Sequence, residues 1–139
     1  MRFTPAVILA SLAALALAGC SGQKKNDSAA DFTGDQKAVA QVVDDLSNAG
    51  SDKNTKEICA TIFAPEVADQ LKQGDNDCQS VVEEQLKDAN AFDLDVTSVK
   101  VTGDTATARV TSKYDGQDEV KTLRFRKDGQ AWRLVGLAQ

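Results

Sequence analysis

Thr105-Ala106-Thr107-Ala108-Arg109-Val110-Thr111-Ser112-Lys113-Tyr114 is the stretch that decides the fold of this 139-residue chain. On an extended strand Ala106, Ala108, Val110 and Tyr114 fall on one side, and Thr105, Thr107, Arg109, Thr111 and Lys113 on the other. That period of two marks a strand with one face on a core and one in water. Three turn signals divide its surroundings, Gly103-Asp104, Asp115-Gly116 and Asp128-Gly129, each a tight-hairpin dipeptide or close to one. They predict a four-stranded antiparallel meander over 92–102, 105–114, 118–127 and 131–138. Two strands break their own parity. Leu94 and Val96 share a face that Val99 and Val101 leave, and Val120 is out of phase with Leu123 and Phe125. A β-bulge or sharp bend in each is the simplest cause, and it would curve the sheet around a neighbouring layer, enclosing a core or a cavity.

Upstream the period changes to 3.6. Val39, Val42, Val43 and Leu46 form one apolar stripe, opened by Thr33-Gly34-Asp35-Gln36, which fits a capping box, and closed at Gly50. Asn54-x-x-Glu57 predicts a short second helix with Ile58, Cys59 and Ile62 inward. Pro65 suits the first turn of a third, which carries Val67 and Leu71 and has Gly74 at its C′ position. Asp77 caps a fourth with Cys78, Val81, Val82 and Leu86 inward. Asp75-Asn76-Asp77 superficially resembles the opening of a calcium loop. Ser80 and Leu86 stand where that loop needs Gly and Glu, so the triplet reads as a turn and a cap. The class is therefore α+β, N-terminal helices packed on a strongly bent four-stranded antiparallel meander.

Leu17-Ala18-Gly19-Cys20 resembles the lipobox of bacterial lipoproteins, and it follows Arg2 and an apolar run from Ala6 to Ala18. That run has the length of a signal-peptide core and is too short to span a bilayer. The resemblance implies that residues 1–19 are removed and that Cys20 becomes a diacylglyceryl-modified first residue. Two acyl chains suffice for stable anchoring. The expected location is the extracytoplasmic face of the cell membrane. Residues 20–34 then form the lipidated cysteine and a flexible tether, polar and aperiodic from Ser21 to about Phe32, and 35–139 the domain. Cys59 and Cys78 remain. Two cysteines in an exported domain most often pair, and both lie on inward stripes of neighbouring short helices. A shared metal is the alternative, against which stand the absence of histidine and of any CxxC spacing.

After cleavage the chain carries 15 basic and 21 acidic side chains. A net negative charge argues against nucleic acid as a partner, because phosphate binding needs a basic footprint. The charge is uneven. Residues 31–90 hold 13 acids and five bases, while 91–139 hold seven and eight. Arg109, Arg124, Arg126, Arg133 and Lys113 fall on the polar side of the sheet, as a basic stripe for anionic headgroups or an acidic partner, or as a solvated face.

Helices followed by a bent meander that ends in Lys127-Asp128-Gly129-Gln130-Ala131-Trp132-Arg133-Leu134 resemble the NTF2-like superfamily, the cystatin-like α+β cone. The likeness is greatest to its small actinobacterial lipoproteins and covers about residues 35–139. Ile58-Cys59-Ala60 with a later Cys78 also fits the disulfide of exported members. The resemblance implies a cone-shaped fold, and homodimers are frequent in the superfamily. It implies little about activity, since the superfamily hosts enzymes, binding modules and scaffolds. Its enzymes place Asp, Tyr, His or Arg inside the cone. Here there is no histidine and one tyrosine, Tyr114, at a strand end. That removes the commonest general base and every Ser-His or Cys-His nucleophile. No catalytic residue, metal or cofactor is expected.

The inward set Val42, Leu46, Ile62, Leu71, Val82, Val110, Leu123, Phe125 and Trp132 contains no titratable group. Val42, Leu46, Val110, Leu123, Phe125 and Trp132 are the candidate lining of a site for a small apolar ligand within the cone. A filled cone would leave an envelope protein as the partner, met on the outer face of the sheet. Trp132 is either a wall of the site or an aromatic anchor, and the small Ala106 and Ala108 either leave room or let a helix approach closely.

Overall fold

A computed structural model describes residues 26–72, 74–88, 92–114 and 117–138. Cys20 with its lipobox and the Asp115-Gly116 turn lie outside them. The strands follow the turn signals: β1 (Leu94–Thr102), β2 (Thr105–Tyr114), β3 (Gln117–Asp128) and β4 (Ala131–Leu137). They form one open antiparallel sheet in the order β1-β2-β3-β4.

The two parity breaks have different causes. In β1 the register with β2 shifts between Val96 and Ser98, so a bulge brings Val99 to the face of Leu94 and both are buried. In β3 the expected bend at Val120 is absent. The β2–β3 ladder runs unbroken from Thr105↔Arg126 to Tyr114↔Gln117, and Val120 stands half exposed on the outer face opposite Thr111. A second shift does occur one strand later. β3 passes from Arg124↔Gly136 to Phe125↔Leu134, leaving Val135 as the extra residue of a bulge in β4.

The helical side begins with α1 (Gly34–Ser51), whose Val39, Ala40, Val43, Leu46, Ala49 and Gly50 are buried. The expected capping box does not form. Thr33 is the N-cap without a side-chain bond, and Gln36 Nε2 instead donates to the Val99 carbonyl of β1 at 2.9 Å. Gly50 lies flush against Phe92, and the ring fills the space a Cβ there would occupy. α2 (Thr55–Glu57) is capped as expected, Asn54 Oδ1 accepting from Glu57 N, and runs into a π-helical turn, Ile58–Ile62. α3 (Pro65–Gln70) has Pro65 at its start, but it ends at Gln70, so Gly74 belongs to the following turn and not to its cap. α4 (Cys78–Lys87) is capped by Asp77, which accepts from Ser80 N at 2.9 Å. Cys59 and Cys78 are at disulfide distance, 2.02 Å between sulfurs, tying the π-turn to α4.

Residues 26–33, expected as tether, are part of the packed body. Asn26 Nδ2 donates to Ser47 Oγ, Asp93 Oδ1 and the Leu94 carbonyl, each at 2.8 Å, and its backbone N–H donates to Asn48 Oδ1 at 3.1 Å. Ser28–Asp31 is a 3-10 turn that buries Ala29 completely. The partner of this turn is Asp44, fully buried in α1, which accepts from Ser28 Oγ and Ala29 N at 2.8 Å each. A titratable group therefore does face inward. It is tolerated because its carboxylate oxygens are matched by donors.

Candidate functional site

A ligand site was expected between helices and sheet, and the structure packs five of its six residues into the core, with Val42 against it. Leu46, Val110, Leu123 and Phe125 lie in one buried apolar cluster with Val39, Val43, Ile58, Val82 and Leu134, where they touch one another. Val110 is 1% exposed and Phe125 2%, so neither presents a wall to a ligand. Ala106 and Ala108 are buried in the same cluster, the close-packed outcome for small residues. Trp132 belongs to the same cluster and Val42 packs against it, and the two also meet at the surface. They border a shallow groove with Ile62, Gln41, Asp45 and Ala131, of about 360 Å³, between α1, the π-turn and β4. Trp132 is 3% exposed, its Nε1 donating to Asp35 Oδ1 at 3.5 Å with Lys127 Nζ 5.5 Å from the ring centroid. Packing holds the indole, and the groove meets only its rim.

The outer face of the sheet carries the charge. Register places Lys100, Thr107 and Arg124 in one row across β1, β2 and β3, and Thr102, Thr105, Arg126 and Arg133 in the next. These rows floor a groove of about 550 Å³ bordered by Lys100, Thr102, Thr105, Thr107, Arg124, Arg126 and Val135. The bulge in β4 shapes one side of it. Gly136, with φ +143°, is opposite Arg124, whose guanidinium lies 3.6 Å from where a Cβ would stand.

The five cations of the expected basic stripe do not act alike. Arg126 is paired with Glu66 of α3. Arg133 turns to the helical side and donates to the carbonyls of Ala60 and Thr61, closing the end of the π-turn. Lys113 lies on the same face, toward the β2–β3 turn. Among the described residues no carboxylate comes within 4.0 Å of Arg109, Arg124 or Lys100. Lys100 was not singled out in the sequence because the parity break in β1 hides which of its side chains face outward. Asp44 escaped for a different reason. It sits at helical spacing from Ala40 and Ser47, and only the folded N-terminal turn reveals its donors.

Among the described residues no helix is long and apolar enough to cross a membrane. No protein-family model matches the chain, and no curated protein matches it. A solved structure does: the solution structure of a SEC-C motif containing protein from Rhodopseudomonas palustris, 18% identical, covering 70% of this chain and 74% of its own, with a TM-score of 0.57. At that identity the likeness concerns the fold alone.

Proposed function

We propose that this protein is a lipid-anchored domain of the extracytoplasmic membrane face, built as an NTF2-like cone, that acts by binding a partner and not by catalysis. The observation that carries the interaction reading is the packing of Leu46, Val110, Leu123 and Phe125 into the core, where a hollow cone would have left them lining a cavity. The anchor rests on Leu17-Ala18-Gly19-Cys20, and the non-catalytic reading on a chain without histidine. A second reading, a small apolar ligand, keeps support from the groove that gathers Val42, Ile62 and the rim of Trp132.

Trp132 is the only tryptophan, so its fluorescence separates these readings. Titration of the full-length protein, in a non-fluorescent neutral detergent, with short-chain fatty acids and small aromatics is expected to leave its emission unchanged. A saturable shift at micromolar ligand would favour the apolar-ligand reading. The anchor is tested by Cys20→Ala, which is expected to move the protein from the membrane to the soluble fraction or leave it uncleaved. Unchanged fractionation and processing would refute lipidation at Cys20.

A further inference from the structure

We infer that the groove over Lys100, Thr107 and Arg124 is the partner site, and that it takes an acidic, extended peptide segment of another protein. This rests on the interaction reading above and supplies its chemistry. Lys100 and Arg124 flank Thr107 in one cross-strand row, each one strand away from it. Strands are about 4.8 Å apart, so the two backbones are separated by about 10 Å, and the Arg124 guanidinium lies toward Gly136 of β4. Neither has a carboxylate within 4.0 Å among the described residues, whereas neighbouring Arg126 is already neutralised by Glu66. Two unneutralised cations on a strongly acidic protein form a local positive field, and such a field selects an anionic partner.

The shape narrows the choice. The groove crosses all four strands, from Lys100 and Thr102 in β1 to Val135 in β4, and is floored by the hydroxyls of Thr102, Thr105 and Thr107. Three strand spacings give a trough of about 14 Å, the length of about four extended residues. Thr105 Oγ1 donates to the Thr102 carbonyl at 3.0 Å and keeps its acceptor capacity, and hydroxyls that can accept or donate suit a peptide backbone. Acids of the same face, Asp95, Asp118 and Asp128, stand to either side of it along the strand direction, outside the row of Lys100, Thr107 and Arg124.

Position argues against lipid headgroups. The chain enters the domain at Asn26, which is bonded to Asp93 and Leu94 at the start of β1. Lys100 is six residues further along that strand, about 20 Å from the entry point. In a domain anchored through Cys20 the groove is thus on the part of the sheet remote from Asn26.

The test uses the full-length protein in neutral detergent at low ionic strength, with fluorescein-labelled hexaglutamate as probe and hexaglutamine as control. Hexaglutamate is expected to bind saturably, to resist displacement by inorganic phosphate beyond the effect of chloride at equal ionic strength, and to lose at least ~tenfold in affinity in K100E/R124E. K56E, an exposed charge reversal on the helical side, is expected to leave binding unchanged. K100Q/R124Q, with its melting midpoint checked, guards against a folding defect in the reversal. Binding that is unaffected by both double variants, or equal for hexaglutamine, would overturn the proposal. So would specific displacement by phosphate, because it would assign the cations to a phosphate group. None of these outcomes alters the Trp132 titration, which tests the interaction reading separately.

Discussion

At the scale of single residues, Asp44 joins three parts of the chain. It accepts from Ser28 Oγ and Ala29 N, and Ser28 Oγ in turn accepts from Val96 N at 3.3 Å, so one carboxylate in α1 connects the N-terminal turn to β1. Asp44→Ala leaves buried donors without partners, which costs about 1–3 kcal/mol. Urea denaturation is expected to show that loss, with faster hydrogen exchange at Ala29, and an unchanged midpoint would remove the residue from the stability of the domain. Gly50 acts through absence. Phe92 occupies the volume a methyl would need, so Gly50→Ala forces the ring out and is expected to destabilise by about 1–3 kcal/mol. Phe92→Leu in the same chain should recover part of that loss, since the two sites touch and their effects are not additive. Equal losses with and without the second change would mean the clash is not the cause.

At the scale of elements, the short helices depend on caps and a covalent tie. The carboxylate of Asp77 is held below the ordinary carboxylate range by the Ser80 backbone N–H and then by the Ser80 hydroxyl. A group with a lowered folded pKa contributes stability that is present above its unfolded value and is lost as the pH falls through the folded one. The α4 cap is therefore intact at neutral pH and weakens in acid below about pH 4. Asp77→Asn is expected to flatten the acid limb of a stability profile relative to the parent, and parallel profiles would discount the cap. Cys59 and Cys78 close a loop with a sequence separation of 19. Chain-entropy reasoning gives the bridge about 3 kcal/mol, so C59S/C78S should lower the chemical denaturation midpoint accordingly. The elements were legible in the sequence where local chemistry dominates. Turn dipeptides bounded all four strands within a few residues, and Asn54, Pro65 and Asp77 marked helix starts. What was hidden depended on tertiary partners. Gln36 leaves its own helix for a β1 carbonyl, the bulge at Val135 is set by pairing with β3, and the polar stretch before Thr33 is ordered by Asp44, Ser47 and Asn48. The candidate ligand residues were inward as expected. Whether inward side chains meet each other or enclose a space is decided by how closely two layers approach, and no periodicity encodes that distance.

For the whole molecule, acids gather on the helical half and cations on the outer sheet, so the domain has a polar axis as well as a net charge. The same body is gripped at its first described residues, and that grip has a mechanical consequence. Tension that reaches Asn26 falls on its bonds and then on those of Ser28 and Ala29 to Asp44, before any strand need separate from its neighbour. Peeling residues 26–32 away would release at most ~25 Å of chain with all four strands still paired. Pulling the protein from its N-terminus in an optical trap is expected to show this short, reversible extension before the main rupture, and Asp44→Ala is expected to lower its force. A single rupture with no earlier step would mean that the segment and the sheet yield together. With the step, the first seven described residues serve as a stored length of leash, paid out under strain and rewound when the strain is released.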